Sequence, residues 1–219
     1  MNTAGLAVSV VFVLTIIALA NALSRAGTFS RATARKAIHI ALAHWWLIAV
    51  AMFDDPWVAS VGPASSLLAS AIVPAVLPLP QETTGGARDR GTICYSAALL
   101  ILVNISWRGF IPTRAAAVGV MVMGWGDGLA GLVGARFGTG GVYIWGRRKT
   151  FAGTATMFFS SCVVTLLLTA ACKEPLPRLF VGIACTALVA TLLEFFTPWG
   201  LDNLTIAMGT AFFSAGAFG

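Results

Sequence analysis

Residues 113–135 read TRAAAVGVMVMGWGDGLAGLVGA, and this stretch decides the fold. From Ala115 to Val133 every residue is apolar or glycine except Asp127, set in Gly124-Trp125-Gly126-Asp127-Gly128. The run is long enough to cross a bilayer, which needs about 20 predominantly apolar residues per helix. A carboxylate at membrane depth is costly unless it is paired, metal-bound or faces a wet cavity, so it marks a functional site by default. The plainer alternative is a carboxylate paired with an arginine to fix helix packing. The glycines around it disfavour regular helix by about 1 kcal/mol each. They therefore permit a break, which lipid tolerates only where the backbone lines a protein cavity.

The character of this stretch extends over the chain. Of 219 residues, 58% are hydrophobic and 10% charged, with a mean hydropathy of +0.88. An ordinary soluble domain carries about 25% charged residues, so this chain lacks the polar side chains to cover a water-facing surface. Disordered, collagen-like, coiled-coil and disulfide-scaffold classes fail on the same composition. What remains is an all-α, polytopic membrane protein, read as a single domain over 1–219. The net charge of +6 and pI near 9.7 do not argue for a nucleic-acid partner. The basic residues sit mainly between apolar runs, where membrane orientation accounts for them. Cys94, Cys162, Cys172 and Cys185 form no CxxC pair and read as small lipid-buried hydrophobes.

Besides 113–135, candidate spans lie at 1–23, 37–53, 57–79, 92–107, 151–171, 179–196 and 203–218, giving seven to eight transmembrane helices. The first lacks the basic flank of a signal peptide and is read as a retained helix. Pro63, Pro74 and Pro78 make the third a kinked or partly re-entrant element. Ten of the 14 basic residues fall in the odd-numbered loops, which the positive-inside rule places in the cytoplasm, with the N-terminus outside. A short chain without a transit peptide favours a prokaryotic inner membrane.

On this topology the polar residues gather at the cytoplasmic mouth. The loop after Asp127 carries Gly138, Gly140, Gly141 and Gly146, then Arg147-Arg148-Lys149-Thr150. Glycine-rich backbone can form an anion-binding nest and the cations oppose phosphate; a solvated basic loop is the alternative. Gly153 and Thr154 open the following helix, whose N-terminal amides also favour an anion. Arg35 and His39 share a helical face, with Lys36 beside His39. His44 stands five residues beyond, so the pair is not a zinc-binding HExxH. Glu194 closes the seventh span, and Asp202-Asn203 opens the eighth, where Asp202 could serve as an N-cap.

Taken in order, Arg35-Lys36-x-x-His39, Arg90-Gly91-Thr92, Gly126-Asp127-Gly128-x-Ala130, Lys149-Thr150-x-x-Gly153-Thr154, Glu194 and Asp202-Asn203-Leu204-Thr205 resemble the phytol kinase, dolichol kinase and CTP-dependent diacylglycerol kinase family. The resemblance spans roughly residues 31–210 and departs from the family in the Pro-rich segment 56–80 and the Ala-rich last helix. It implies an integral-membrane lipid kinase with a cytoplasm-facing active-site cavity. The enzyme would phosphorylate an isoprenoid alcohol or diacylglycerol, with CTP as co-substrate (ATP or UTP in its place) and Mg²⁺. The chemistry of the residues agrees, because phosphoryl transfer depends on positioning and charge neutralisation. Asp127 would hold Mg²⁺ or take the proton of the lipid hydroxyl, with Lys149 and His39 as further catalytic candidates. Arg35, Lys36, Arg90, Gly126, Gly128, Thr150, Gly153, Thr154 and Asn203 would bind nucleotide. Glu194 and Asp202 would complete a metal site with Asp127 or orient the cations. No Walker A or protein-kinase motif is present. The rival readings are a CDP-lipid synthase, a small ion-coupled transporter and a structural membrane subunit.

Overall fold

A computed structural model of the chain describes residues 1–76, 87–170, 172, 175–198 and 200–218. Pro78 and Lys173 lie outside them. The helices are α1 (Asn2–Arg25), α2 (Arg31–Ala43), α3 (Trp45–Met52), α4 (Pro56–Val76), α5 (Ala87–Trp107), α6 (Thr113–Met121), α7 (Gly128–Phe137), α8 (Phe151–Thr169), α9 (Leu176–Phe196) and α10 (Asp202–Phe218). Between α7 and α8 the strands β1 (Gly141–Ile144) and β2 (Arg147–Thr150) form an antiparallel hairpin. The all-α expectation holds with this one addition. Among the described residues five helical stretches are long and apolar enough to cross a membrane: Asn2–Arg25, Arg90–Trp107, Thr113–Phe137, Phe151–Thr169 and Leu176–Phe196. The expected second span is divided at His44 into α2 and α3, and α10 has 17 residues.

Local chemistry sets the boundaries. Ser30 caps α2 by accepting from the Thr33 amide at 3.0 Å, and Thr150 caps α8 by accepting from the Gly153 amide at 3.1 Å. Pro177 occupies the first turn of α9, where its missing N–H leaves nothing unbonded. α4 passes through Pro63 and Pro74 as one helix to Val76, so of the kinked or partly re-entrant element expected over 57–79 the described residues show no re-entrant break. The helix opens at Pro56 instead, where Asp55 Oδ1 accepts the Trp57 amide at 2.7 Å.

The outside of the bundle is apolar. Val10, Val11, Leu14 and Leu19 of α1 are each more than half exposed, as are Phe159, Leu167, Phe180 and Val181. Lipid is the solvent that accepts such a surface. Helix contacts are made instead by small residues, because acyl chains are as apolar as leucine and association must come from close packing. Ala43, Ala98, Ala116, Ala187, Ala207 and Ala211 have no exposed surface. Several buried hydroxyls bond to the preceding turn, as in Thr169 to the Thr165 carbonyl at 2.6 Å and Thr186 to Gly182 at 2.8 Å.

The break expected around Asp127 is absent. α6 continues into α7 through a π-helical turn, Val122–Asp127, whose flanking residues keep right-handed helical dihedrals. Such wide turns recur at functional sites. The glycines serve close packing and not backbone freedom. A Cβ on Gly124 would collide with that of Ala43, one on Gly126 would lie 2.6 Å from Met157 Sδ, and one on Gly128 would meet Ile40. The turn is thereby clamped between α2 and α8. Replacing Gly124 by valine should destabilise the fold by about 1–3 kcal/mol, as overpacking does in a filled core. The check is thermal unfolding in detergent; a variant as stable as the parent would show that α2 yields without cost.

Candidate active site

The clamp aims Asp127 at α2. Lys36 Nζ donates to Asp127 Oδ2 at 2.6 Å and to the Asp127 carbonyl at 3.2 Å. His39 Nε2 stands 3.5 Å from the same carboxylate oxygen and 3.4 Å from the Met123 carbonyl. Asp127 is therefore paired, with a lysine and not the arginine considered from sequence, and only 13% of its side chain is exposed. Lys36 reaches it because Gly131 has no side chain: a Cβ there would lie 2.7 Å from Lys36 Cε. Removal of either partner would leave a buried charge uncompensated.

A second ion pair lies across the site. Lys149 of β2 donates to the Glu194 carboxylate of α9 and, at 2.6 Å, to the Glu194 carbonyl. The glycine-rich loop expected to form a nest is the β1–β2 hairpin, with Gly141 opposite Thr150 and Ile144 opposite Arg147. Its two turn residues have positive φ, 51° at Trp145 and 74° at Gly146, the pattern of a two-residue hairpin turn. Trp145 Nε1 donates to the Phe196 carbonyl at 3.0 Å, so the hairpin is tied to the end of α9 at both its tip and its last turn.

Two cavities meet at Asp127. The first, of about 360 Å³, is polar and basic: Lys36, Arg147, Arg148 and Lys149 line it together with Asp127, Glu194 and Asp202. Its floor is α7 at Ala130, Gly131 and Gly134 and the N-terminus of α8 at Thr150, Gly153 and Thr154. Gly134 and Gly153 allow these helices to touch, since a Cβ on Gly134 would lie 2.7 Å from Thr150 Oγ1 and one on Gly153 would lie 3.0 Å from the Ala130 carbonyl. The second cavity, of about 830 Å³, is mainly apolar and is walled by α1, α2, α4 and α5. Lys36, Asp127, Arg147 and Asp202 line both.

The residues singled out from sequence divide between the two cavities. Lys36, Asp127, Lys149, Thr150, Gly153, Thr154, Glu194 and Asp202 line the basic one. Arg35, His39 and Asn203 line the apolar one. Gly126 and Gly128 line neither and face Met157 and Ile40, so they pack helices and make no ligand wall. Arg90 is exposed at the start of α5 and also lines neither, although its neighbours Gly91 and Thr92 line the apolar cavity. Sequence reasoning named Arg147 and Arg148 only as part of the basic loop, without individual roles, and passed over Gly131 and Gly134. Strand alternation in Arg147-Arg148-Lys149 and the three-residue spacing of Gly128, Gly131 and Gly134 were the signals available.

The carboxylates offer a limited metal site. Among the described residues no group of three or more His, Cys, Asp or Glu side chains is arranged to hold a metal. Glu194 is engaged by Lys149 and Asp127 by Lys36, but only Asp127 and Asp202 face the junction of the cavities, Asp127 with its second carboxylate oxygen outside the lysine contact. Two carboxylates beside a basic cavity match Mg²⁺, which keeps several waters and takes one or two carboxylates together with substrate phosphates.

Comparison with known proteins accords with this geometry. The chain is 33% identical over 199 residues to a phytol kinase of Synechocystis sp., covering 90% of this chain and 84% of that protein. It is 34% identical over 89 residues to a probable chloroplastic phytol kinase of Triticum aestivum, covering 39% of this chain and 28% of that protein. No family model and no solved structure matches it. This similarity, on a bundle of membrane-length apolar helices, makes the protein an integral-membrane kinase, a phosphotransferase with an alcohol as acceptor. The chain belongs to the phytol kinase family.

The Lys149–Glu194 pair anchors the hairpin, so Glu194→Gln should loosen it. Limited trypsin digestion should then cut at Arg147 or Arg148 several times faster, at unchanged overall helicity. Equal cleavage rates would show that the Trp145 contact alone suffices.

Proposed function

We propose that this protein transfers the γ-phosphate of CTP to the hydroxyl of phytol or a related isoprenoid alcohol, at the cytoplasmic face of a prokaryotic inner membrane. The observation that carries the reading is the junction at Asp127 of a basic, glycine-floored cavity and an apolar one. A polyphosphate suits the first and a lipid suits the second, and the reacting atoms would meet where the two cavities share Lys36, Asp127, Arg147 and Asp202. The orientation follows from the excess of Lys and Arg at this end of the bundle.

In the transfer, the acceptor oxygen forms a bond to the γ-phosphorus as the bond from that phosphorus to the β–γ bridging oxygen breaks. The products are a lipid monophosphate, a nucleoside diphosphate and a proton. Lys36, Arg147, Arg148 and Lys149 neutralise the phosphates, and the capped N-terminus of α8 adds backbone amides. Asp127 and Asp202 would hold Mg²⁺, which when bound spreads the charge developing on the phosphate oxygens. Asp127 can also accept the hydroxyl proton, and the Lys36 ammonium holds its carboxylate in place for either task. Glu194 acts on Lys149, holding the ammonium at the cavity wall.

Purified protein given γ-labelled CTP, ATP, UTP or GTP with phytol, a polyprenol or diacylglycerol should label phytol most, and from CTP. Labelled pyrophosphate with a nucleotidyl lipid would instead mean attack on the α-phosphorus and overturn the reading. Asp127→Asn should lower kcat by about 100-fold or more, the scale of losing a charge stabiliser; near-normal turnover removes Asp127 from both roles. Lys149→Ala should raise the nucleotide KM by about tenfold, as loss of one charge-assisted contact does, without changing the KM for the alcohol.

A further inference from the structure

Among the described residues four buried polar atoms lack a partner, and two of them, unlike Ser161 Oγ and Thr165 Oγ1, belong to residues that line the apolar cavity. Tyr95 OH and Asn203 Oδ1 are both buried and make no hydrogen bond. Buried polar atoms are nearly always satisfied, so an orphaned pair in one cavity has to be explained. The chemistry of the two is complementary. The phenol is a donor, and the amide oxygen is an acceptor whose orientation is set by Asn203 Nδ2 donating to the Gly91 carbonyl at 2.8 Å. Gly91 and Tyr95 are one turn apart on α5, and a helical side chain leans over the turn before it. The Tyr95 ring also meets the edge of His39, with centroids 4.9 Å apart, and His39 is the neighbour of Asp127.

The cavity runs away from these atoms into the membrane layer. Along α2 and α3 it is lined by His39, Leu42, Trp45 and Phe53, a distance of about 20 Å at 1.5 Å per helical residue. Its outer wall is α1, where Val10 and Leu14 line the cavity and are 56% and 61% exposed. A ligand that can enter from the acyl region therefore has one apolar chain and one polar end.

We propose that this cavity is the acceptor subsite: Tyr95 and Asn203 bind the lipid hydroxyl beside Asp127, and the chain lies along α2 and α3 toward Phe53. This deepens the kinase reading and rests on it for the identity of the ligand as an alcohol. A single hydroxyl answers both orphans on binding, accepting from Tyr95 and donating to Asn203, and its one proton turns from Asn203 to Asp127 for the transfer. A larger side chain at Gly62, where a Cβ would lie 3.7 Å from Trp45, would narrow the cavity part-way along its length.

Three measurements test this. Tyr95→Phe should raise the KM for phytol by about tenfold, the cost of one lost hydrogen bond with its partner left unpaired, at an unchanged nucleotide KM. Because it deletes an orphan, it should not lower the thermal stability of the ligand-free protein, and the stabilisation by phytol without nucleotide should shrink. Gly62→Leu should lose phytol turnover while keeping that of geraniol, which has half the carbons. An unchanged phytol KM in Tyr95→Phe, or equal effects on both alcohols in Gly62→Leu, overturns the subsite. A diazirine-bearing phytol analogue separates the two readings. Labelling at Leu42, Trp45 or Leu99 without turnover of any alcohol upholds the cavity and defeats the kinase reading. Turnover with labelling elsewhere does the reverse.

Discussion

A carboxylate inside an apolar bundle stays ionised only if its neighbours supply the charge that water would have supplied. For Asp127 this is the Lys36 ammonium at 2.6 Å, which also bonds the backbone carbonyl of the same residue. Much of the surrounding architecture serves that contact. Gly131 clears the path of the lysine, Gly124 and Gly128 let α2 approach the π-helical turn, and Gly126 admits Met157 from the opposite side. The turn itself brings the carboxylate to the boundary between two cavities of opposite character. A pair so placed has the desolvation of both ions to offset, and its position at a cavity junction keeps part of that hydration available.

The β1–β2 hairpin answers a different constraint. Four basic side chains around one cavity repel each other, and long lysine chains lose rotamer freedom when fixed. Glu194 offsets both effects at Lys149, and the Trp145 indole fastens the turn to α9. The hairpin thereby forms a wall of the basic cavity from backbone that lies outside the apolar helices, where strand polar groups can be hydrated. The membrane portion supplies the rest with helix ends: the capped start of α8, the end of α9 and the start of α10. Reaction chemistry at such ends needs no unpaired backbone inside lipid.

How much was legible beforehand differs between residues. Asp127, Lys36, Lys149, Glu194 and Asp202 stood out because a charged group near or within an apolar run is too costly to be incidental, and all five line the basic cavity. Gly126 and Gly128 flanked the acid and resembled a ligand loop, yet their role is to admit Met157 and Ile40. Glycine looks the same in sequence whether its lack of a side chain makes room for a ligand or for another helix. Tyr95 was invisible for the opposite reason. One tyrosine in an apolar span is ordinary, and only a buried, unpartnered hydroxyl on a residue that lines a cavity distinguishes it.

Composition and periodicity by themselves determined that the chain is a helical membrane protein, since 10% charged residues cannot clothe a soluble fold. They also located the costly polar groups. Tertiary structure alone decided which lysine meets which carboxylate, that the helix widens and does not break at Asp127, and that a basic and an apolar cavity share one wall. These follow from distances between segments far apart in the chain, 91 residues for Lys36 and Asp127 and 45 for Lys149 and Glu194. Local propensity carries no information about them, because the contacts exist only once small residues have let the helices close.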